Sequence, residues 1–172
     1  RKFNARYGET FPITEPLIGE DVGRILGLDG DAKMSKSLGN TVGILADPDD
    51  VWDKVRTAVT DPQRVRRDDP GRPEVCNVFA LHQFFTEENA RKEIEAGCRS
   101  AELGCVDCKR VLSGNIATSF APYRERAAHY REHPSEVRDV LDRGAAKARK
   151  IASETMQEVR RKMGLNWRNA IP

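Results

Sequence analysis

The chain has 172 residues, 38% of them hydrophobic and 33% charged, which is enough for one domain of ordinary size or two small ones. It contains no run of 18 apolar residues, and this excludes a membrane-spanning helix of ordinary length. The formal net charge of +2 is unevenly divided, because residues 109–172 hold 14 Lys and Arg against seven Asp and Glu, whereas residues 1–108 hold 15 against 20. A basic C-terminal part indicates either a polyanionic partner or a solvated helical surface.

Residues 1–46 are rich in glycine and proline, which predicts connecting segments around one or two short strands. The stretch is too short and too poor in strand-forming residues to make a complete sheet domain. It also begins without Met and without a hydrophobic signal segment. We therefore expect it to be the end of a domain that belongs to a longer cytoplasmic polypeptide.

Three helices are predicted between residue 47 and residue 97. The first begins at Asp47, a favourable N-cap residue, with Pro48 at the first helical position, and ends near residue 60. Its buried side chains are expected at four-residue spacing, namely Val51, Val55 and Val59. The other two cover residues 77–85 and 87–96, and Gly97 closes the last of them.

Two long helices are predicted for the remainder. The first covers residues 105–132, contains Pro122, and is expected to face inward with Val106, Leu112, Ile116, Phe120 and Tyr123. The second begins at Ser135 and ends at Gly164. Its apolar stripe comprises Val137, Leu141, Ala145, Ala148, Ile151, Thr155, Val159 and Met163. The sequence therefore predicts a mostly α-helical chain.

The segment Lys33-Met34-Ser35-Lys36-Ser37 combines two ammonium groups and two hydroxyls in a glycine-flanked loop. Ammonium groups neutralise phosphate charge, hydroxyls and free backbone N–H groups bond phosphate oxygens, and glycines allow a loop to move. These residue types indicate a phosphate-binding loop, although polar surface loops without a ligand share such a composition.

All four cysteines, Cys76, Cys98, Cys105 and Cys108, fall within 33 residues at the spacing C-x21-C-x6-C-x2-C. Two sulfurs in a C-x2-C pair converge on one metal from a single turn of chain, so the pattern indicates a four-thiolate site. Such a site suits Zn²⁺ and a [4Fe–4S] cluster alike. The same four cysteines are also consistent with two separate buried thiols and a reactive pair. A disulfide between the last two cysteines is a further alternative if a metal is lost.

The lysine–serine segment is identical to the KMSKS signature of class I aminoacyl-tRNA synthetases, and its surroundings resemble the bacterial tryptophanyl-tRNA synthetases. The similar segments extend over essentially the whole chain: residues 1–4, 7–9, 11–12, 37–40, 60–61, 69–74 and 144–149, with Gly30 before the loop. The tyrosyl enzymes share the loop but not the downstream cysteines or the segment at 69–74. The resemblance implies the end of a Rossmann-like α/β catalytic domain over residues 1–46, followed by a helical anticodon-binding domain over residues 47–172.

The resemblance also implies a reaction, in which L-tryptophan and ATP with Mg²⁺ give tryptophanyl-adenylate and pyrophosphate before transfer to tRNA(Trp). Lys36 would stabilise the transition state and Lys33 would contact the triphosphate, as mobile cations on a closing loop. The nucleotide-binding set would be Ile25, Lys33, Met34, Ser35, Lys36 and Ser37, with the backbone around Ile25 and Met34 packed on the adenine. Relatives of this kind are cytoplasmic homodimers without a membrane segment.

A subset of the resembling enzymes carries a four-cysteine [4Fe–4S] site near the anticodon-binding surface, with one residue more between the first two cysteines. The resemblance therefore favours a cluster of structural role at Cys76, Cys98, Cys105 and Cys108, with zinc or metal-free cysteines as the alternatives. Lys109 and Arg110 follow directly and are candidate contacts to the tRNA anticodon.

Three functions compete at this point: the C-terminal part of a tryptophan–tRNA ligase, an isolated or catalytically silent tRNA-binding module, and a metal- or redox-responsive regulator built on the cysteines. The intact lysine–serine segment favours the enzyme, because a binding module needs no lysines for pyrophosphate. We expect the 172 residues alone to bind ATP poorly and not to activate tryptophan.

Overall fold

The computed structural model of the chain describes residues 1–18 and 24–165, and this part is mostly helical. Its helices are α1 (Lys2–Tyr7), α2 (Pro48–Val55), α3 (Asn77–Phe85), α4 (Glu88–Arg99), α5 (Cys105–Glu132) and α6 (Pro134–Lys162), with 3-10 turns at Lys36–Leu38 and Pro73–Val75. β-pairing within these described ranges is limited to one antiparallel bridge between Leu26 and Lys33, so the predicted short strands are reduced to this bridge. The predicted mostly α-helical fold is confirmed. None of the described helices combines the length and apolar character needed to cross a membrane.

The chain divides into two compact units, one formed by Arg1–Gly19 with Tyr130–Pro172 and the other by Glu20–His129. In the first unit, the Lys162 ammonium on α6 donates to the Thr10 hydroxyl at 2.8 Å and to the carbonyl oxygen of Glu9. The predicted division into residues 1–46 and 47–172 separates a catalytic domain from an anticodon-binding domain, whereas the two units are defined by compactness. The predicted division therefore stays a prediction.

The unit formed by Glu20–His129 has a core to which α2, α3, α4 and α5 all contribute. Its most deeply buried side chains include Val51, Val55, Val78, Leu81, Ile94, Leu112 and Ile116. The predicted burial of Val51 and Val55 is therefore confirmed. Val59 is 44% exposed, against the prediction, because α2 ends at Val55 and the four-residue spacing no longer applies beyond it.

Helix α3 has the predicted bounds, whereas α4 continues through Gly97 to Arg99. Gly97 thus does not end the helix. A Cβ at this position would lie 3.0 Å from the Cβ of Leu103, so the glycine makes room for the segment that returns after the helix. The left-handed backbone conformation that follows the helix is adopted by Ala101, with φ of 62°.

Helix α5 has the predicted bounds and continues through Pro122. Leu112 and Ile116 are buried, as predicted, but Val106 and Tyr123 are 57% and 52% exposed. Val106 lies roughly 120° around the helix from Leu112 at 100° per residue, so the two side chains cannot share a face.

Helix α6 begins at Pro134 with His133 at the N-cap position, two residues before Ser135, the predicted N-cap. Gly164 follows its end with φ of 72°, as predicted for a terminating glycine. Of the predicted stripe only Val159 is buried, whereas Leu141 and Ile151 are 65% and 58% exposed. An apolar stripe predicts which face of a helix can be buried, but burial itself requires an element that packs there.

Candidate functional site

The lysine loop, residues 25–40, is a tight hairpin within the unit Glu20–His129. The N–H of Met34 donates to the carbonyl oxygen of Ile25 at 2.9 Å, next to the bridge between Leu26 and Lys33. Ile25 and Met34, the two predicted adenine contacts, are therefore neighbours on paired backbone. They also line an apolar pocket of about 160 Å³ together with apolar side chains from α3 and α5.

The turn of this hairpin is organised by the carboxylate of Asp29. Its Oδ1 accepts hydrogen bonds from the N–H groups of Asp31 at 3.1 Å and Ala32 at 3.3 Å. Gly30 adopts φ of 71° inside the turn, a conformation that favours glycine. A side-chain hydrogen bond from Asn40 and the bonds from backbone N–H groups lower the pKa of the Asp29 carboxyl.

The side chains of Lys33 and Lys36 are both exposed, and neither forms an ion pair with another residue in the described ranges. Lys36 opens the 3-10 turn that ends at Gly39, whose φ is 68°. The hydroxyls of Ser35 and Ser37 lie 2.9 Å apart. The loop thus presents two available ammonium groups and a pair of hydroxyls, a set that can bind the oxygens of a polyphosphate.

Asn40, the last residue of the lysine loop, is buried, a feature that was not predicted from the sequence. Its Oδ1 accepts from the N–H of Ser35 at 2.8 Å, and its Nδ2 donates to Oδ2 of Asp29 at 2.7 Å. The signal available in the sequence was an amide residue directly after a glycine at the end of the loop.

The four cysteines come from three places in the same unit. Cys76 follows the 3-10 turn Pro73–Val75, Cys98 lies in the last turn of α4, and Cys105 and Cys108 lie in the first turn of α5. All four are free thiols, and Cys76 and Cys108 are buried. Burial, followed by the three neighbouring cysteines, raises the pKa of Cys108 to about 12. The thiols therefore share one neighbourhood, although they are far apart in sequence.

Two further residues fix the position of Cys98. The guanidinium of Arg64 approaches its sulfur at 3.7 Å, while another nitrogen of the same group donates to the carbonyl oxygen of Leu103 at 3.0 Å. The N–H of Gly71 donates to the Cys98 carbonyl at 2.9 Å, and a Cβ on Gly71 would lie 2.4 Å from the sulfur. Residue 71 must therefore be small, because the sulfur occupies the space of its side chain.

The sulfur of Cys108 lies 3.4 Å from Nε2 of His82, which is fully buried. The other ring nitrogen is 2.7 Å from the hydroxyl of Thr86. Burial lowers the pKa of His82 to about 4, which keeps its imidazole neutral at physiological pH. The sequence offered no signal for this pairing, because the two residues are 26 positions apart.

The cysteines of the described part do not form a closed cage for one ion, since no three of their sulfurs lie within 4.8 Å of one another. A tetrahedral zinc ion with Zn–S bonds of about 2.3 Å would hold its sulfurs about 3.8 Å apart. A four-iron cluster binds each thiolate through a different iron, which spaces the sulfurs more widely. Four thiols are donors of the kind that both a zinc ion and a [4Fe–4S] cluster accept.

Lys109 and Arg110, the candidate anticodon contacts, both interact within the unit. The ammonium of Lys109 donates to the carbonyl oxygen of Arg56 at 2.9 Å, and burial lowers its pKa. The guanidinium of Arg110 lies 4.6 Å from the ring centroid of Trp52, in a cation–π contact. Arg110 is exposed.

Relatives with the same fold exist among solved structures. A structure titled as the tryptophanyl-tRNA synthetase from Campylobacter jejuni complexed with ADP and tryptophan matches with a TM-score of 0.79 and 35% identity, over 95% of this chain and 50% of that one. A second structure of the Campylobacter jejuni enzyme matches with a TM-score of 0.77. The match extends over nearly all of this chain.

Similar proteins named tryptophan–tRNA ligase include those of Deinococcus radiodurans, 48% identical over 164 residues, and Aquifex aeolicus, 44% identical over 166 residues. They cover 95% and 96% of this chain, which in turn covers 50% and 42% of their length. The chain therefore spans about half the length of the curated relatives it matches. The family profile described as tRNA synthetases class I (W and Y) matches residues 1–121. The chain belongs to this family of class I tRNA synthetases.

Proposed function

We propose that the chain is part of a tryptophan–tRNA ligase, which activates L-tryptophan with ATP and transfers it to tRNA(Trp). The observation that carries the proposal is the lysine loop, in which the ammonium groups of Lys33 and Lys36 are exposed and free of ion pairs within the described residues. The names of the relatives support tryptophan as the amino acid. The proposal includes a homodimer of the whole protein, acting in the cytoplasm.

In the first step, the carboxylate oxygen of tryptophan attacks the α-phosphorus of ATP and the bond to the bridging oxygen of pyrophosphate breaks. Negative charge accumulates on the leaving group, and Mg²⁺, when bound, would neutralise part of it. Lys36 neutralises this charge in the transition state, and Lys33 holds the triphosphate in line. In the second step, a ribose hydroxyl at the 3′ end of tRNA attacks the carbonyl carbon of the adenylate and AMP leaves.

The remaining nucleotide contacts follow from the arrangement of the hairpin. The paired backbone around Ile25 and Met34 would pack on the adenine ring. Ser35 and Ser37, whose hydroxyls already lie together, donate to phosphate oxygens once the loop closes. Closure would bring these groups onto the nucleotide only when substrate is present.

The helical part would contact the tRNA anticodon, with Arg110 as the better-supported of the two candidate residues. Its guanidinium lies 4.6 Å from the ring centroid of Trp52 and its side chain is exposed, so an unstacked base can stack on this pair. Lys109 is held by the carbonyl oxygen of Arg56, and two of its three N–H donors remain for a phosphate.

We further propose that Cys76, Cys98, Cys105 and Cys108 hold a [4Fe–4S] cluster of structural role, with zinc as the alternative occupant. The support is the set of four thiols that lie in one neighbourhood. Arg64 and Gly71 position Cys98, and His82 positions Cys108, so the thiol positions are defined by neighbouring residues.

Iron and acid-labile sulfide analysis of anaerobically purified protein tests the cluster. We expect about four irons and four sulfides per chain, with a visible charge-transfer absorption that Cys108→Ser abolishes. A Ser113→Ala variant, one turn further along α5 and not a thiol, should retain the iron. Stoichiometric zinc without sulfide, or protein that binds neither metal, would refute the cluster.

Charging of tRNA tests the proposed function directly. The whole protein that contains this chain should attach tryptophan to tRNA(Trp) and should not attach tyrosine to tRNA(Tyr), since buried polar groups of such pockets discriminate strongly between related side chains. The 172 residues alone should bind the tRNA weakly and charge nothing. Binding of tRNA by the whole protein without charging would instead favour the silent binding module.

A further inference from the structure

The backbone of Gly27, at the base of the lysine loop, passes between two buried side-chain amides. A Cβ on this residue would lie 2.1 Å from Nδ2 of Asn40, so only glycine fits beside that amide. On the other side, Nδ2 of Asn77 donates to the carbonyl oxygen of Gly27 at 2.7 Å. Asn77 is the first residue of α3, and its bond joins the loop to the helical core.

The amide of Asn40 reaches both neighbours of Met34. Oδ1 accepts from the N–H of Ser35 at 2.8 Å, and Nδ2 lies 3.4 Å from the carbonyl oxygen of Lys33 as well as 2.7 Å from Oδ2 of Asp29. One side chain therefore connects the turn of the hairpin to the segment that carries both lysines. Only 7% of Asn40 is exposed, so water competes little for these bonds.

The backbone of Asn40 adds to this connection, because its carbonyl oxygen accepts from the N–H of Leu28 at 2.9 Å. Leu28 in turn offers its own carbonyl oxygen to the N–H of Val59 at 2.9 Å. The end of the loop is thus bonded to its beginning, and the beginning is bonded to the segment that follows α2. These two bonds hold the ends of the loop, and the segment that carries the lysines lies between them.

We propose that Asn40 is a positioning residue for catalysis: its buried amide, bonded to Ser35 and Asp29, sets the conformation from which Lys33 and Lys36 reach the triphosphate. The proposal rests on the proposed function. Asn40 itself touches no substrate. Loss of the Asn40 amide should displace the ammonium groups of Lys33 and Lys36. A displacement of about 1 Å at a catalytic site lowers the rate by roughly 100-fold.

A reciprocal exchange of two residues tests the proposal in the whole protein. Asn40→Asp places two carboxylates against each other and removes the donor to Asp29, so we expect a roughly 100-fold lower kcat for tryptophan-dependent ATP–pyrophosphate exchange. In the double variant Asp29→Asn with Asn40→Asp, the amide at 29 can donate to the carboxylate at 40, whose other oxygen still accepts from Ser35. The double variant should recover most of the lost rate, with KM for tryptophan unchanged throughout.

Asn115→Ala is the matched control, because this partly buried amide bonds to the hydroxyl of Thr86 at 2.8 Å and not to the lysine loop. It should keep the parent kcat. A kcat of Asn40→Asp equal to that of the parent would overturn the proposal, and so would a double variant as slow as Asn40→Asp. A purely structural role of Asn40 would change thermal stability without this pattern of rescue.

Hydrogen exchange of the whole protein that contains this chain supplies a readout that does not depend on activity. Asn40→Ala should increase exchange of the backbone amides of residues 33–40 and leave those of α3 and α5 unchanged. If the parent protein shows no tryptophan-dependent exchange of pyrophosphate, the proposed function fails. The hydrogen-exchange result then tests by itself whether Asn40 holds the backbone of residues 33–40. Unchanged protection of residues 33–40 in this variant would refute that role.

Discussion

Lys36→Ala in the whole protein is expected to slow formation of tryptophanyl-adenylate by about 2–4 kcal/mol in activation free energy, or about 30- to 900-fold. The Lys36 ammonium is exposed, and no ion pair with another described residue uses its charge. Lys36 neutralises negative charge that develops on pyrophosphate in the transition state. Its removal should therefore lower kcat and leave the affinity for tryptophan nearly unchanged. Pre-steady-state formation of the adenylate measures both quantities.

Lys92→Ala is the control for charge removal elsewhere in the chain. Lys92 is also exposed and pairs with Glu88 at 2.6 Å. Both residues belong to α4 and lie outside the lysine loop. Its removal should leave the rate of adenylate formation within about twofold of the parent, because exposed pairs of this kind contribute little. A Lys36→Ala enzyme with the parent's rate would remove Lys36 from the mechanism.

Asp61→Asn is expected to lower the free energy of unfolding of the chain by about 2–3 kcal/mol, since it removes hydrogen bonds between charged groups at a buried position. The Asp61 side chain is 4% exposed and lies 2.6 Å from Nη2 of Arg72. It also accepts from the guanidinium Nε and the backbone N–H of Arg72, each at 3.0 Å, and from the N–H of Gln63 at 3.0 Å. Urea unfolding followed by far-UV circular dichroism measures the loss.

The same carboxylate predicts a dependence of stability on pH. The side-chain hydrogen bond from Arg72, followed by the bonds from backbone N–H groups, holds the pKa of Asp61 well below its ordinary value of 3.8. Because the folded pKa is depressed, the contribution to stability is present above about pH 4 and is lost as the pH falls toward the folded pKa. The stability gap between the parent and Asp61→Asn should be constant from pH 7 to 5 and narrow by about 1 kcal/mol at pH 3.

Asp53→Asn is the matched control, with the same change at an exposed pair. Asp53 is 65% exposed and lies 2.9 Å from Nε of Arg56. Its substitution should cost less than about 1 kcal/mol. Equal losses for the two variants would show that burial of Asp61 contributes nothing, and a stability gap that stays constant down to pH 3 would contradict the depressed pKa.

Local sequence signals predicted most helices correctly. The bounds of α3 and α5 agree with the predictions, and Gly164 follows α6 as expected. These features depend on residues close in sequence: apolar spacing, end-capping residues and the tolerance of glycine for positive φ.

Burial was predicted less well, because it depends on what packs against a face. Leu141 and Ile151 continue a regular stripe along α6, yet both are mostly exposed. Gly97 has the position of a helix terminator, but the helix continues and the glycine makes room for Leu103. Neither outcome can be read from neighbours in the chain.

The candidate site likewise contains residues that the local sequence predicts and contacts that it does not. The lysine segment was recognisable because its residues are contiguous, and the cysteine spacing pointed to one neighbourhood. The contacts that position these groups are long-range: Asn40 to Asp29, Arg64 to Cys98, and His82 to Cys108, which lie 11, 34 and 26 residues apart. No period or motif predicts such pairs, because they arise only when separate segments fold together.

Tryptophan-dependent exchange of labelled pyrophosphate into ATP, measured on the whole protein that contains this chain, tests most directly whether the lysine loop serves amino-acid activation. We predict exchange with tryptophan, little or none with tyrosine at equal concentration, and loss of exchange in Lys36→Ala. Exchange that requires tyrosine, or protein that binds tRNA(Trp) but exchanges pyrophosphate with neither amino acid, would contradict the proposed function.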